Sequence, residues 1–256
     1  ELRMKLKLEV LRQDNADANA RWERFTVDDL DESMSILEVL DRLNERLVSA
    51  GRDAVTFESD CREGICGACG ITVNGFPHGP EENTPACHQR LRSFQDGQTV
   101  RISPLGSAAY PVIRDLMVDR RALDAVIEAG GYVSVDTGTA PDAEAVPVDH
   151  TTVENALDFA ACIGCGACVA ACPNGSANLF VGSKLMHLSL LPLPAEERAR
   201  RAKRMVEVAD QNFGPCSNYG ECAIVCPASI PLSAVAAVNH ERLRSGMLRR
   251  LFPQRG

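Results

Sequence analysis

The sequence predicts an α+β region followed by a mostly helical one, and three features carry that prediction. Apolar residues alternate near the N-terminus, where Met4, Leu6, Leu8 and Val10 stand between Lys5, Lys7 and Glu9, the period of a half-buried strand. From Ser35 the apolar period lengthens to that of a helix, and it does so again from Thr151 onward. Short apolar runs flank a cysteine-rich loop within the first region, the pattern of strands joined across a loop.

Each element has a local reason. A polar, small-residue stretch at 13–20 separates the first strand from a return strand at 22–27, forming a hairpin. Ser35, with Glu38 three residues later, is a capping box that opens a helix. Ile36, Leu40, Leu43 and Leu47 share one face of it, and Gly51 stops it. Short strands are expected at 54–58, 71–73 and 99–103, and this first unit ends near Leu105. After Pro111, the stretch 112–129 has helical spacing through Ile113, Leu116, Met117, Leu123, Val126 and Ile127, ended by Gly130 and Gly131. The stretch 133–149, with Pro141 and Pro147, reads as an exposed connection. Pro194, Glu196 and Glu197 begin a helix whose apolar stripe is Ala199, Ala202, Val206 and Ala209. The tail is basic, with Arg242, Arg244, Arg249, Arg250 and Arg255. It reads either as a solvated helix face or as a contact with a membrane protein or anionic lipid.

Composition excludes several classes. The 256 residues are 45% hydrophobic and 24% charged, enough for one or two packed domains. A net charge of −8 is a poor basis for gripping nucleic acid. The most apolar stretch, 223–238, carries Cys226, Pro227 and Pro231 and falls short of the roughly 18 residues that span a membrane. The first ten residues lack a signal-peptide core, so export is not expected. The 11 cysteines then point to metal binding rather than a disulfide framework.

Those cysteines form three groups. Cys61, Cys66 and Cys69, followed by Cys87, have the C-x4-C-x2-C…C spacing of a plant-type [2Fe–2S] site. Gly64, Gly67 and Gly70 let the loop curl and let amide N–H groups reach the sulfurs. A zinc site or a redox pair of Cys66 and Cys69 is the alternative, and neither explains Cys61. Cys162, Cys165, Cys168 and Cys172-Pro173 form the C-x2-C-x2-C-x3-C-P run of bacterial ferredoxins, in which the fourth cysteine serves a second cluster. Cys216, Cys222 and Cys226-Pro227 repeat that run with Tyr219 in the second slot. The crossover assigns Cys226 to Cys162, Cys165 and Cys168, a full [4Fe–4S] site. Cys172 joins Cys216 and Cys222, and three thiolates favour [3Fe–4S]; a [4Fe–4S] cluster with a non-cysteine fourth ligand is the alternative. This scheme leaves no cysteine over.

Other candidates carry little. His78, His88, His150, His187 and His240 show no ligand spacing, and His88 reads as a loop residue. Asn174-Gly-Ser176 is an accidental glycosylation match, and Gly182-Ser-Lys184 lacks a preceding phosphate loop. No nucleophile–base pair or dinucleotide fingerprint is present, so no catalytic residue is expected. Three one-electron clusters without an organic substrate site make a relay between partners.

The order of these three motifs resembles the iron–sulfur subunit of succinate dehydrogenase and fumarate reductase, respiratory complex II. The resemblance runs from the first hairpin to Pro231. It implies a β-grasp [2Fe–2S] ferredoxin domain over 1–108 and an α-helical ferredoxin domain over 109–256. It implies a flavoprotein partner that oxidises succinate at FAD. Electrons would pass from there through the [2Fe–2S], [4Fe–4S] and [3Fe–4S] clusters to a quinone at a hydrophobic membrane-anchor subunit. The chain would lie peripherally on the cytoplasmic side of the membrane. The loop between Cys69 and Cys87 is longer than in many relatives. Many ubiquinone-reducing relatives also carry two tryptophans after the cysteine matching Cys172 and a histidine after the one matching Cys216. Here the stretch 173–178 has no aromatic ring and residue 217 is Ser217. That pattern looks more like relatives that use menaquinone. Fumarate reduction is the same relay reversed, and an independent multi-cluster carrier or a zinc scaffold are the rivals from other classes.

Overall fold

The computed structural model describes residues 3–132 and 148–251, with side chains up to residue 244. Its N-terminal part is a five-stranded sheet with one packed helix, and its C-terminal part is helical. Strand β1 (Met4–Arg12) buries Leu6, Leu8 and Val10 and leaves the intervening residues outward. Strand β2 (Arg21–Leu30) pairs with it antiparallel, with Leu8 opposite Phe25 and Glu9 opposite Arg24. The side chain of Asn15 holds the turn between them by accepting from the Asp17 and Ala18 amides, both at 3.0 Å.

Helix α1 (Ile36–Ser49) starts as the sequence predicts. Ser35 Oγ accepts from the Glu38 amide at 3.3 Å, and the Glu38 carboxylate accepts from the Ser35 amide at 2.6 Å. Ile36, Leu40, Leu43 and Leu47 are buried against the sheet, and Gly51 follows the helix at φ +68°. Strands β3 (Ile71–Val73), β4 (Phe76–Pro77) and β5 (Thr99–Pro104) complete the sheet in the order β2-β1-β5-β3-β4. β5 runs parallel to β1, so the helix and the whole cysteine loop form the crossover between them.

Two expected elements differ. No strand forms at 54–58, because side chains rather than a neighbouring strand satisfy this backbone. Asn44 bonds both the Val55 amide and carbonyl, at 2.7 and 2.8 Å, and Asp115 Oδ2 accepts from the Thr56 amide at 2.9 Å. The helix expected at 112–129 is instead a small hairpin, β6 (Val112–Arg114) and β7 (Met117–Val118), followed by the short helix α2 (Arg121–Val126) and a wide turn Ile127–Gly131. Asp115 is the reason. It sits at φ +47° and is buried, and its carboxylate accepts from Arg12 Nε at 2.9 Å and the Gln13 amide at 3.1 Å. A residue so tied to β1 cannot continue a helix.

The helical part comprises α3 (His150–Ala160), α4 (Ala167–Ala171), α5 (Asn178–Leu190), α6 (Ala195–Asn212), α7 (Glu221–Ile224) and α8 (Ala234–Leu251). Pro194 precedes α6, whose buried face is Met205, Val206 and Ala209 with half-buried Ala199 and Ala202. α5 runs through the middle of this part, and Gly182 lets it touch α8: a Cβ there would stand 2.1 Å from the Ala234 carbonyl oxygen. Leu116 belongs to the sheet-side core, whereas Leu105, Tyr110 and Val118 belong to the helical one, so the two parts interlock near residues 105–118. Most of the expected connection at 133–149, and the side chains of Arg249, Arg250 and Arg255, lie outside the described residues. Of the other tail arginines, Arg242 pairs with Asp210 and Arg244 with Glu241. No described helix is long and apolar enough to cross a membrane.

Candidate metal centres

The first thiol group lies on the loop before β3. Gly64 and Gly67 take positive φ, +75° and +71°, and curl the loop as expected. Amides turn toward sulfur: Cys61 Sγ accepts from Glu63 and Cys66, at 3.3 and 3.4 Å, and Cys66 Sγ from Ala68 at 3.4 Å. Amide donation from Glu63 and Ile65 draws the Cys61 thiol down to about 7. Cys69 is buried, which pushes its thiol up to about 12, with the nearby Cys87 and Cys66 adding repulsion. Cys87 is buried on a 3-10 turn, Ala86–His88. His88 is on the same turn rather than in an open loop, and a Cβ on Gly64 would lie 3.3 Å from its ring.

The next thiols separate into two cavities. Cys162, Cys165, Cys168 and Cys226 line one, walled by Leu179, Phe180 and Ile230. Burial pushes Cys165 up to about 12, followed by repulsion from Cys162 and Cys226. Cys168 is raised by burial and then by Cys165, Cys162 and Cys226. Cys172, Cys216 and Cys222 line the other, together with Tyr219, Asn178 and Leu232. Burial raises Cys222, followed by repulsion from Cys216 and Cys172. The four thiols Cys162, Cys165, Cys168 and Cys226 thus share one cavity and Cys172, Cys216 and Cys222 another, with Tyr219 on the wall of the second. Asn174 presses the two segments of the third group together, donating to the Pro215 carbonyl at 3.1 Å and Ser217 Oγ at 2.8 Å.

These walls suit anionic, sulfur-rich clusters with iron. Cys165, Cys168 and Cys226 in one helical cavity and Cys222 in the other resist ionising alone, and bound iron would reverse that bias. Among the described residues, no three His, Cys, Asp or Glu side chains close on a single ion-sized point. The third cavity also holds an orphaned buried donor, Asn178 Nδ2.

The three groups form a row. Loops one and two meet backbone to backbone, since a Cβ on Gly67 would stand 2.3 Å from the Ile163 carbonyl oxygen. Arg120 spans the seam. It donates to the Gly67 carbonyl, to Cys165 O at 3.2 Å and to Ala68 O at 3.4 Å, and pairs with Glu58 at 3.3 Å. Leu179 lines both helical cavities. Arg120 and Asn178 were not legible as site residues, because their roles depend on distant partners. Lys184, weak as a phosphate motif, donates instead to the Cys162 carbonyl at 3.2 Å. His78 is buried and neutral: Nδ1 accepts from the Ala86 amide at 3.1 Å, and burial, helped by the Arg120 charge, pushes its pKa down to about 4.

Comparison with known proteins agrees with this arrangement. Residues 7–125 match a family described as a 2Fe-2S iron-sulfur cluster binding domain, and residues 161–230 match a 4Fe-4S dicluster domain. The succinate dehydrogenase iron-sulfur subunit of Bacillus subtilis is 26% identical over 242 residues, covering 91% of this chain and 90% of its own length. The fumarate reductase iron-sulfur subunit of Escherichia coli is 28% identical over 258 residues, covering 97% and 98%. A chain of the Mycobacterium smegmatis Sdh1 complex in the apo form superposes with a TM-score of 0.69 at 21% identity, covering 99% of this chain and all of that one, a likeness of fold. The chain thus carries a 2Fe-2S cluster binding domain followed by a 4Fe-4S dicluster domain, and along nearly its whole length it is similar to iron–sulfur subunits of succinate dehydrogenase and fumarate reductase.

Proposed function

We propose that this chain relays single electrons between a flavoprotein carrying FAD and a quinone at a membrane-anchor subunit, in a succinate:quinone oxidoreductase. The observation that carries it is the succession of three thiol groups, the first two on loops that meet at Gly67 and Ile163, the last two in cavities that share Leu179. Bound [2Fe–2S], [4Fe–4S] and [3Fe–4S] clusters supply the one-electron redox centres that side chains lack. Cys61, Cys66, Cys69 and Cys87 would hold the first; Cys162, Cys165, Cys168 and Cys226 the second; Cys172, Cys216 and Cys222 the third. The reading takes residues 1–108 as a β-grasp ferredoxin domain and 109–256 as an α-helical ferredoxin domain. The parallel β1–β5 pair beside α1 supports the first, and the interlocked cores support a rigid union of the two.

The protein residues set distance and environment. Gly67 and Arg120 hold the first two loops together, and Leu179 lines both the second cavity and the third. Amides donating to Cys61, Cys66, Cys216 and Cys226 stabilise sulfur charge. Ile65 is 70% exposed at the tip of the first loop, which supports docking of that end on the flavoprotein. The end with Cys172 and Cys216 would face the anchor, at the cytoplasmic side of the membrane. No aromatic ring stands at 173–178, which favours menaquinone over ubiquinone. Running in the opposite direction, the same relay would serve fumarate reduction.

Anaerobic purification with iron and sulfide analysis tests the reading. About nine irons per chain is the expected yield. Copurification with a flavoprotein and a hydrophobic subunit is the second expected result. Bound zinc, or iron for only one cluster, would refute it.

A further inference from the structure

The third cavity contains a donor that the protein does not use. Asn178 is 4% exposed, begins α5 and lines the cavity beside Cys172, Cys216 and Cys222. Arg242 of α8 brings both Nη1 and Nη2 to 3.4 Å from Asn178 Oδ1. A guanidinium can only donate, so Oδ1 must face Arg242 and Nδ2 must point elsewhere. Arg242 is itself anchored: Nε lies 3.2 Å from Asp210 Oδ1 on α6, and Nη1 lies 3.4 Å from Asn239 Oδ1. The amide orientation is thus set from α6 and α8. Asn178 Nδ2 is left buried with two N–H groups and no protein acceptor. Buried amide donors in native proteins have partners, so the acceptor belongs to what fills the cavity.

We propose that Asn178 donates a hydrogen bond from Nδ2 to a sulfur of the cluster held by Cys172, Cys216 and Cys222, with Arg242 as the positioning residue that fixes the amide. This rests on the three-thiolate reading of the site. A donor to sulfur stabilises the more negative, reduced cluster and so raises its potential. The third site thereby becomes a better electron acceptor than its thiolates alone would make it.

Redox titration of the oxidised-state paramagnetic signal, in the assembled complex, tests this. Asn178→Leu removes the donor at similar volume. Reduction should become about tenfold less favourable, a fall of ~59 mV for one electron. Asn178→Asp should fall further, since it adds negative charge as well. Arg242→Met should fall less, and Arg242→Lys should restore part of the loss. In the wild-type complex, asparagine labelled with 15N at the side-chain amide should give a nitrogen coupling to the cluster spin. An unchanged potential in Asn178→Leu with the signal intact would overturn the proposal. So would the absence of nitrogen coupling in wild type, which requires no variant to fold. Absence of any three-iron signal in wild type would instead overturn the reading of the site itself.

Discussion

The two halves of the molecule place their thiols differently with respect to their cores. In the sheet half a continuous core of aliphatic residues runs from Leu6 through Val27, Leu40 and Leu47 to Ile102, and only Cys69 and Cys87 of its four cysteines join it. The helical half has two cores: a larger one from Leu123 through Phe180, Val181 and Leu188 to Met205 and Val238, and a smaller one among the thiols. Around Phe159, Leu179, Ile230, Ala234 and Val235 the packing partners include Cys162, Cys168, Cys216, Cys222 and Cys226. One half carries a cluster site on the rim of a finished fold. The other builds its smaller core around thiols, so metal and fold are coupled in that part of it.

Removing iron should separate the halves most sharply. After chelation, hydrogen exchange should stay slow across β1, β2 and α1 and accelerate across α4 and α7. Uniform loss of protection would show that the sheet half depends on its cluster too.

The next largest effect should come from the link between the halves. Arg12 and Asp115 form a buried ion pair with side chains 5% and 1% exposed. Asp115→Asn leaves the guanidinium short of its main partner, and stability should fall by about 3 kcal/mol. Urea unfolding of the whole chain measures it, and a change under about 0.5 kcal/mol, the ordinary surface range, would count against this linkage.

Tyr219→Cys sharpens the contrast inside the helical half. It completes the second four-cysteine run, so the third site should take up a [4Fe–4S] cluster. The oxidised-state paramagnetic signal should weaken, a reduced-state one should appear, and quinone reduction by succinate should slow. Electron delivery from the flavin to an artificial acceptor should persist. An unchanged oxidised-state signal would mean that the backbone at 219 cannot aim a sulfur at the cluster.

The smallest effect tests the independence of the sheet half. Ser35→Ala removes one side of the capping box and should cost about 1 kcal/mol. Thermal unfolding should show the loss in the sheet half, with cluster absorbance retained. Early loss of the helical-half clusters would show that the halves unfold together.

What the sequence revealed depended on how local each signal is. The alternation from Met4 to Val10 and the Ser35–Glu38 box are settled within a few residues, and both appear as expected. Cysteine spacing is equally local, and the crossover follows from overlaying two runs. The stretch from Ile113 to Ile127 misled because its helical period omits Asp115, whose partners Arg12 and Thr56 are distant in the chain. Ile113 is 46% exposed, so the supposed stripe is not one face at all. Arg120 and Asn178 are ordinary residues in sequence and acquire meaning only from carbonyls and a guanidinium that other segments bring to them.

The exchange of Cys172 and Cys226 between neighbouring cavities also dictates when the protein can be finished. During synthesis, the first site has all its thiols once Cys87 has emerged. Neither helical site is complete until the segment from Cys216 to Cys226 follows, well after α5 and α6 have been made. In that interval Cys162, Cys165, Cys168 and Cys172 stand close together on one short stretch, four thiols able to capture a cluster in the wrong combination. On the proposed ligand sets, correct loading of the helical half would wait until Cys226 has been made, whereas the sheet half could be loaded earlier.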